Sequence, residues 1–344
     1  MRILVTGHCG YIGPIMIAQL HAVGHEVVAF DTGYFRDLVE NPPAECVADH
    51  ELMGDVRDIT EDAFAGIDGV IHLAALSNDP IGNIAAHQTH AINTNGTVRC
   101  GELAKAAGVG RFVFASSCSI YGASGDSSAP LDERAPIAPV SAYAVSKVDA
   151  EAALLALESD EFQPVMMRNA TAYGASPRMR LDLVLANLMA SGYATGNIKV
   201  LSDGSPWRPM VHIEDISRAA VAAVSADIDG LAHNIFNIGA PDCNYTVRQI
   251  AEIAGSALPD CTIEITGETG NDPRSYRVDF SRALNELPGF APQWNLEKGA
   301  SQTLEWLEAH PRDIEKLFGE QFIRLTRLQH LRERGEIDGE FRWA

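Results

Sequence analysis

The chain has few basic residues for its size, and this shortage excludes several classes of partner. Its 344 residues include 26 Lys and Arg against 46 Asp and Glu, so the net charge is −20 and the pI is about 4.8. Nucleic-acid binders draw their affinity from basic surface, and anionic lipid attracts clusters of Lys and Arg. We therefore expect no nucleic-acid partner and no membrane docking. An anionic ligand would have to be held by particular arginines and backbone N–H groups.

Paired cysteine motifs, leader patterns and long apolar runs are also lacking. The six cysteines show neither CxxC spacing nor a zinc-finger pattern with histidine, so we expect no metal. Free thiols in a reducing compartment explain them best. The first residues show no basic, apolar and small-residue leader pattern. No run reaches the ~18 apolar residues of a membrane helix. These absences predict a cytoplasmic protein without a membrane span.

What the sequence does contain is apolar mass arranged in alternating elements. Hydrophobic residues make up 46% of the chain, enough for a sizeable core. Short, continuously apolar runs alternate with helix-like stretches, as expected of a sheet covered on both faces and joined by right-handed parallel crossovers. The predicted strands are Arg2–Val5, Glu26–Phe30, Gly69–Leu73 and Arg111–Ala115, and the predicted helices include Ile12–Ala22 and Val98–Ala107. The fold class is therefore α/β, with a Rossmann-like, doubly wound parallel sheet.

A glycine-rich turn, Thr6-Gly7-His8-Cys9-Gly10-Tyr11-Ile12-Gly13, joins the first predicted strand to the first predicted helix. In such a turn Gly7 permits the tight bend, Gly10 lets the backbone approach a pyrophosphate, and Gly13 lets helix and strand pack closely. The helix N-terminus supplies N–H donors for the phosphates. Asp31 follows the second strand at about the 20-residue offset of a ribose-binding acid. A carboxylate there accepts from a 2′-hydroxyl and repels a 2′-phosphate, which favours NAD over NADP.

The sequence pattern changes after about Pro164, where the predicted elements become shorter and Gly and Pro occur more often between them. We predict an NAD-binding Rossmann domain at 1–165 and a smaller C-terminal substrate-binding lobe, mainly at 166–311, some of whose segments return to the first domain. Residues 312–344 form a C-terminal helical extension. Leu325, Leu328 and Leu331 give this extension a helical apolar stripe, which we expect to pack on the lobe or on a second subunit.

Tyr143 and Lys147 lie one helical turn apart, in the segment Ser141–Lys147. A lysine ammonium beside a phenol stabilises the phenolate, so we expect the tyrosine pKa to fall below about 10. The product is a base that works near neutral pH. Alone, the pair is equally typical of a solvated helix face; the glycine turn upstream makes it specific. At the end of a preceding strand, Ser117 can bridge a substrate hydroxyl and Tyr143.

These segments together resemble the extended short-chain dehydrogenase/reductases, in the NAD-dependent sugar epimerase/dehydratase group. The resemblance runs in chain order over most of the sequence. Its matching pieces are Thr6-Gly7-x-x-Gly10-x-x-Gly13, Asp31, Gly54-Asp55-Val56-Arg57-Asp58, His72-Leu73-Ala74-Ala75, Asn93-Thr94-Asn95-Gly96-Thr97, Ser116-Ser117-Cys118-Ser119-Ile120-Tyr121-Gly122, Tyr143-x-x-x-Lys147, Arg168-Asn169-Ala170-Thr171-Ala172-Tyr173-Gly174, Asn187-Leu188 and Asp203-Gly204-x-x-x-Arg208-x-x-Val211-His212-x-x-Asp215.

The resemblance implies NAD as cofactor, a nucleotide-activated sugar as substrate, and Ser117, Tyr143 and Lys147 as catalytic residues. The implied cofactor-binding residues are Gly7, Gly10, Tyr11, Ile12, Gly13, Asp31, Asp55, Val56, Leu73, Ala74, Ala75, Asn95, Tyr143 and Lys147. The implied substrate-binding residues are Ser117, Cys118, Ser119, Asn169, Thr171, Asn187, Arg208 and Arg274. The two arginines suit a diphosphate as forked donors, although salt bridging with the abundant acids is the alternative.

Departures from the family pattern narrow the reaction. The 4,6-dehydratases carry an Asp-Glu pair after the catalytic Ser or Thr, where this chain has Cys118-Ser119. Without those acids the elimination of water lacks its proton donor and base, which disfavours a 4,6-dehydratase. The catalytic cysteine of GDP-mannose 3,5-epimerases falls at the position of Ser119. Because a one-residue shift on a strand reverses the face, we expect Cys118 to be a small buried hydrophobe.

The expected function is an NAD-dependent nucleotide-sugar epimerase, acting at C4 through a transient keto-sugar with Tyr143 as acid and base. The alternative is an NAD(P)-dependent reductase or dehydrogenase of a 4-keto-deoxysugar, with one net hydride transfer. A non-catalytic dinucleotide-sensing protein is a third possibility, which the Tyr-Lys pair disfavours. The resemblance also implies a homodimer, paired through helices like Val98–Ala107 and Tyr143–Leu157.

Overall fold

A computed structural model describes residues 1–39, 42–77, 79–122, 129–228, 230–268 and 274–344. The strands are β1 (Arg2–Thr6), β2 (Glu26–Asp31), β3 (His50–Met53), β4 (Gly69–His72), β5 (Arg111–Ser117), β6 (Gln163–Asn169), β7 (Thr171–Tyr173), β8 (Asn197–Val200), β9 (Trp207–His212), β10 (Ile235–Ile238), β11 (Asn244–Thr246) and β12 (Thr262–Ile265). The helices are α1 (Gly13–Ala22), α2 (Asp79–Ile84), α3 (Ala86–His90), α4 (Gly96–Ala106), α5 (Ala142–Leu155), α6 (Val184–Thr195), α7 (Ile213–Ser225), α8 (Val247–Ala257), α9 (Ser281–Glu286), α10 (Leu296–Glu308), α11 (Ile314–Leu317) and α12 (Arg324–Glu333).

Seven strands form one parallel sheet in the order β10-β6-β5-β4-β1-β2-β3. The chain passes from β1 to β2 on one side and returns to β4 on the other, so the strand order reverses at β1. In open parallel sheets, ligands bind in the crevice at the carboxyl ends of the strands beside such a reversal. The predicted α/β fold is confirmed, and the four predicted strands match β1, β2, β4 and β5 to within one or two residues.

Helices cover both faces of the sheet, which explains why its strands are continuously apolar. Along β1, Ile3 and Val5 enter one core cluster while Leu4 enters the other, and each is 0% exposed. Successive side chains on a strand point to opposite faces, so a strand with helices on both sides is buried on both faces and favours apolar residues along its length. Helices α1 and α7 supply the first cluster; α4, α5 and α12 supply the second.

The second half of the chain adds a smaller lobe with its own apolar core. Strands β7, β9 and β11 form a three-stranded sheet, and β8 pairs with β12. Residues of α6, α8 and α10 pack between them in a third cluster that also includes Tyr11 of the glycine turn. Strand β10 returns to the main sheet beside β6. Tyr11 therefore lies where the lobe meets the carboxyl edge of the sheet.

The C-terminal helix packs against the main domain. On α12, Leu328 and Leu331 are 1% and 0% exposed and join the sheet-face cluster that contains Leu4. The expectation that this stripe packs on the lobe or on a second subunit is therefore wrong. The spacing of the leucines defines an apolar face but not its partner. The partner is set by polar contacts, such as the 2.7 Å ion pair of Arg327 with Asp37. Within the described ranges, none of the helices is long and apolar enough to span a bilayer.

Candidate active site

The glycine turn packs closely against neighbouring backbone, which side chains at its glycine positions would strike. Gly7 has a φ of +78°, and a Cβ on it would lie 2.6 Å from the Ala74 nitrogen. A Cβ on Gly13 would lie 2.1 Å from the His8 oxygen, so α1 begins in direct contact with the turn that follows β1. Pro14 stands in the first turn of α1, where a missing N–H costs little. The turn fits the pyrophosphate of a dinucleotide.

Asp31, at the end of β2, is tied to the same turn. One carboxylate oxygen accepts from the Cys9 N–H at 2.9 Å and the other accepts from the Gly33 N–H at 2.7 Å. The side chain is 7% exposed and lies on the wall of the cleft. A carboxylate has about four acceptor positions, so Asp31 can still accept from ribose hydroxyls. The two backbone bonds fix its orientation.

A cavity of about 700 Å³ runs from the glycine turn to the lobe, at the carboxyl ends of β1, β4 and β5. Most of the residues singled out from the sequence line it: Gly7, Gly10, Tyr11, Ile12, Gly13, Asp31, Asp55, Val56, Leu73, Ala74, Ala75, Ser117, Ser119, Tyr143, Lys147, Asn169, Thr171, Asn187, Arg208 and Arg274. Cavities of this size bind drug-sized molecules and cofactors. The structure thus brings the implied cofactor and substrate residues to one cleft.

Asn95 and Cys118 do not line this cavity. Asn95 is exposed on a single π-helical turn, Ala91–Asn95, that precedes α4. Cys118 is 1% exposed and its thiol donates to the Arg168 oxygen at 3.1 Å, on the side facing β6. Burial raises the pKa of this thiol far above its ordinary value. Its neighbours in the chain, Ser117 and Ser119, do line the cleft.

Ser117 and Tyr143 meet in the cleft. Burial raises the pKa of Tyr143 from 10.0 to about 12, and the nearby Asp79 carboxylate adds to the rise. The hydrogen bond with Ser117 opposes it, as does the charge of Arg180. The expectation of a lowered tyrosine pKa is therefore wrong for the protein alone. Desolvation of the phenolate outweighs the favourable contacts.

The position and burial of Lys147 explain why its charge does not lower the pKa of Tyr143. Its ammonium donates to the Ala115 oxygen at 2.7 Å and lies 4.5 Å from the Phe114 ring centroid, against 5.8 Å from that of Tyr143. The side chain is 2% exposed, and burial lowers its pKa to about 7, with Glu151 opposing. At neutral pH the lysine is therefore only partly protonated.

The serine before Ser117 belongs to a buried polar network. Ser116 donates to Glu151 at 2.5 Å, and Glu151 forms a 2.8 Å ion pair with Arg168, both side chains being 4% exposed. Arg168 also donates to the Tyr121 hydroxyl at 3.1 Å. Buried charges require such complete pairing. This network holds the ends of β5 and β6 and leaves Ser117 as the serine free to face Tyr143.

The sequence reasoning missed several polar residues that line the cleft. Arg180 is 6% exposed, pairs with Asp182 at 2.9 Å, and donates to Ser77 at 2.9 Å. Asp79, at the start of α2, accepts a hydrogen bond from Ser141 and forms an ion pair with Arg274. The sequence signal that could have identified Arg180 and Asp182 is the alternation of charged and apolar residues in Arg178-Met179-Arg180-Leu181-Asp182. This segment directly follows a turn that contains glycine and proline.

The two arginines expected to bind a diphosphate are linked to each other. Arg208 donates to the Arg274 oxygen at 2.5 Å and to the Trp207 oxygen at 2.9 Å. The Arg274 guanidinium forms a salt bridge with an acid, which was the alternative to diphosphate binding. That acid, Asp79, belongs to the same cleft. Both arginines are therefore anchored at the lobe side of the cavity.

Comparisons with known proteins agree with this geometry. A family model described as the NAD dependent epimerase/dehydratase family matches residues 3–239. The chain is 29% identical over 318 residues to a UDP-glucose 4-epimerase of Corynebacterium glutamicum, covering 85% of this chain and 91% of that one. It is also 29% identical over 318 residues to UDP-glucuronic acid decarboxylase 1 of Arabidopsis thaliana, covering 87% and 68% respectively.

A solved structure, MoeE5 in complex with UDP-glucose and NAD, superposes with a TM-score of 0.76 at 27% identity, covering 90% of this chain and 99% of that one. That protein binds its dinucleotide within the same fold. The family match spans more than half of this chain, and the glycine turn and Asp31 fit the cofactor. The chain therefore belongs to the NAD-dependent epimerase/dehydratase family and is an NAD-dependent enzyme of the extended short-chain dehydrogenase/reductase type.

Proposed function

We propose that the protein is a nucleotide-sugar epimerase that acts at C4 through a transient keto-sugar. The observation that carries this proposal is that Ser117 and Tyr143 line one cleft whose carboxylates already have partners. Among the described residues, the carboxylates that line the cavity are those of Asp31, Asp55, Asp79 and Asp182. They bind, in that order, backbone N–H groups, Arg57, Arg274 and Arg180.

Paired carboxylates are poor proton donors and bases, because their partners stabilise the ionised form. The elimination of water needs such an acid and base, and the positions that supply them in 4,6-dehydratases hold Cys118 and Ser119 here. Cys118 is buried against β6. Proton removal from a ring hydroxyl, by contrast, needs a single base in contact with the sugar. Tyr143 is well placed for that task, which favours epimerisation over dehydration.

The bound cofactor supplies a hydride acceptor and the positive charge of its oxidised nicotinamide. Tyr143 takes the proton from the sugar hydroxyl, and Ser117 shares the path by hydrogen bonding to both oxygens. Because burial holds the tyrosine pKa near 12, the phenolate needs positive charge beyond what Lys147 gives to the protein alone. Lys147 keeps its place through Ala115 and binds the cofactor ribose in this proposal.

Two buried polar atoms on the wall of the cleft near Ser117 support a sugar-binding role for this part of the site. Ser119 Oγ and Asn169 Oδ1 are buried and have no hydrogen-bond partner within the described part of the chain. Buried polar groups are normally satisfied, and both residues line the cavity beside Ser117. We assign them to the sugar hydroxyls. Asn187, Arg208 and Arg274 then face the nucleotide diphosphate, where forked donors bind best.

The experiment that tests this function uses purified protein with UDP-glucose or its C4 epimer. We expect each sugar to convert to the other until a constant ratio is reached, with no stoichiometric change in NADH absorbance. Mass spectrometry of the product checks the reaction class, since an isomer keeps the mass of the substrate. Net NADH change would identify a reductase or dehydrogenase instead. A product lighter by water or by carbon dioxide would contradict epimerisation.

We also propose that the enzyme is a homodimer paired through α4 and α5. Outward-facing positions of α5 include Val145, Asp149 and Ala152, a face of small and apolar residues around one acid. A mass in solution equal to that of one chain, measured by light scattering, would contradict this. The six free thiols, five of them buried, support our proposal of a reducing, cytoplasmic location.

A further inference from the structure

The C-terminal extension touches the cofactor side of the cleft at several points. The Trp343 indole donates to the Thr32 oxygen at 2.5 Å, and the Tyr34 hydroxyl donates to the Phe341 oxygen. Arg57, which holds Asp55, donates to the Glu340 oxygen at 2.7 Å. Thr32, Tyr34 and Asp55 all line the cavity. The extension thus supports the segment after β2, where the adenosine half of a dinucleotide would lie.

One residue of the extension reaches the cavity itself. Arg324, the first residue of α12, is 4% exposed and lines the cleft together with the glycine turn. Its guanidinium lies 4.3 Å above the Phe35 ring, and Nη2 donates to the Arg178 oxygen at 2.9 Å. Nη1 is buried and has no hydrogen-bond partner among the residues described. A buried guanidinium with an unused donor is costly unless an anion binds it.

The surroundings of Arg324 leave its charge uncompensated. Burial, followed by the charge of Arg180, lowers its pKa to about 9, against the opposing charges of Asp182 and Asp31. The two nearby acids are engaged elsewhere: Asp182 pairs with Arg180, and Asp31 accepts from the glycine turn and from Gly33. An anion bound beside Arg324 would therefore stabilise its guanidinium.

We propose that Arg324 binds the pyrophosphate of NAD, so that the C-terminal extension supplies a cofactor-binding residue from outside the span of the family match. The match ends at residue 239. The glycine turn, which lines the same cavity, presents its backbone to phosphate oxygens. A 2′-phosphate is a poor alternative, since Asp31 would repel it. In this arrangement the extension holds NAD in the cleft. The inference rests on the cofactor and is independent of the sugar reaction.

The test is NAD binding by the full-length protein after the cofactor has been stripped, measured by calorimetry without sugar. Loss of one charge-assisted hydrogen bond weakens binding by about tenfold or more, so we expect Arg324→Met to raise the Kd for NAD at least that much. Methionine keeps the apolar stem over Phe35. Arg324→Lys should recover part of the affinity, because it restores the charge without the fork.

The matched control is Arg334→Met, which removes an exposed arginine just past the end of α12. Its Kd for NAD should equal that of the wild type. Equal NAD binding by Arg324→Met would overturn the proposal. So would a loss confined to NADP, which would assign the arginine to a 2′-phosphate, or a loss confined to UDP-glucose, which would assign it to the sugar nucleotide.

Misfolding is distinguished by a second measurement. If Arg324→Met lowers the melting temperature of the stripped protein, Arg324→Lys decides, because it keeps the charge. A pyrophosphate contact predicts that the lysine variant binds NAD more tightly than Arg324→Met at equal melting temperature. A loss of NAD affinity that follows the loss of melting temperature in both variants, whether or not residue 324 is charged, would overturn the proposal.

Discussion

Replacing Tyr143 with phenylalanine should lower kcat for sugar conversion by about 10²- to 10⁴-fold, the usual contribution of a general acid or base. The substitution removes one oxygen from a site that is otherwise unchanged, because the ring and its packing remain. That oxygen belongs to a residue that lines the cleft, and Ser117 on the same lining lowers its pKa. We therefore expect the affinity for NAD, measured by calorimetry, to stay close to that of the wild type.

Tyr193→Phe provides the matched control. The Tyr193 hydroxyl donates to the His310 oxygen at 3.2 Å, in the lobe and away from the cavity lining. Its removal should leave kcat unchanged. Unchanged turnover in Tyr143→Phe would remove this tyrosine from the mechanism, whichever sugar is used. Loss of NAD binding together with turnover would show instead that the hydroxyl serves the cofactor.

Ser117→Ala tests the proton path in the same assay, and its result is tied to that of the tyrosine. If Ser117 only orients Tyr143, the double variant should be no slower than Tyr143→Phe alone, because residues that act as a unit are not additive. If the two groups touch the sugar independently, their effects on kcat should multiply.

Most of the fold could be predicted from the sequence because local residue patterns express it. The glycine turn was recognisable because a Cβ on any of its three glycines would meet backbone, and Gly7 also has a positive φ that other residue types rarely adopt. The strands were recognisable because a sheet covered on both faces tolerates apolar residues at every position. Such constraints act within a few residues, so spacing alone expresses them.

Electrostatic properties of the site depend on residues far apart in the chain. The spacing of Tyr143 and Lys147 places them on one helix face, but the ammonium binds Ala115 of β5, and Phe114 lies beneath it. Desolvation then raises the pKa of Tyr143 and lowers that of Lys147, which is opposite to what their spacing on one helix face predicts. Likewise, the pairing of Asp79 with Arg274 joins segments that the sequence gives no reason to connect.

The last large expected effect concerns Lys147 and pH. Its pKa is about 7 in the folded, cofactor-free protein and 10.5 as the ordinary value. Between these values the unfolded chain binds a proton that the folded chain does not, so the stability of the folded state rises with pH across this window. Below pH 7 both states are protonated, and the full cost of burying the charge is present.

Lys147→Met removes this buried charge. We expect the variant to be more stable than the wild type at pH 6, by an amount on the order of 3 kcal/mol, and the difference to shrink as the pH rises towards 10. Urea unfolding of both cofactor-free proteins at several pH values measures it, and titrating groups that do not interact with Lys147 cancel in the comparison. Lys105→Met, on the exposed side of α4, is the control, since it leaves no buried charge to titrate.

The same variant should lose activity at every pH. A substitution that stabilises the protein and stops the reaction would show that Lys147 is retained for the chemistry of the cleft, at a cost in stability. Parallel unfolding curves for wild type and Lys147→Met from pH 6 to 10 would contradict this, because they would mean that the lysine is solvated. Lys147 would then carry its full charge at neutral pH, and the lowered pKa assigned to it here would be wrong.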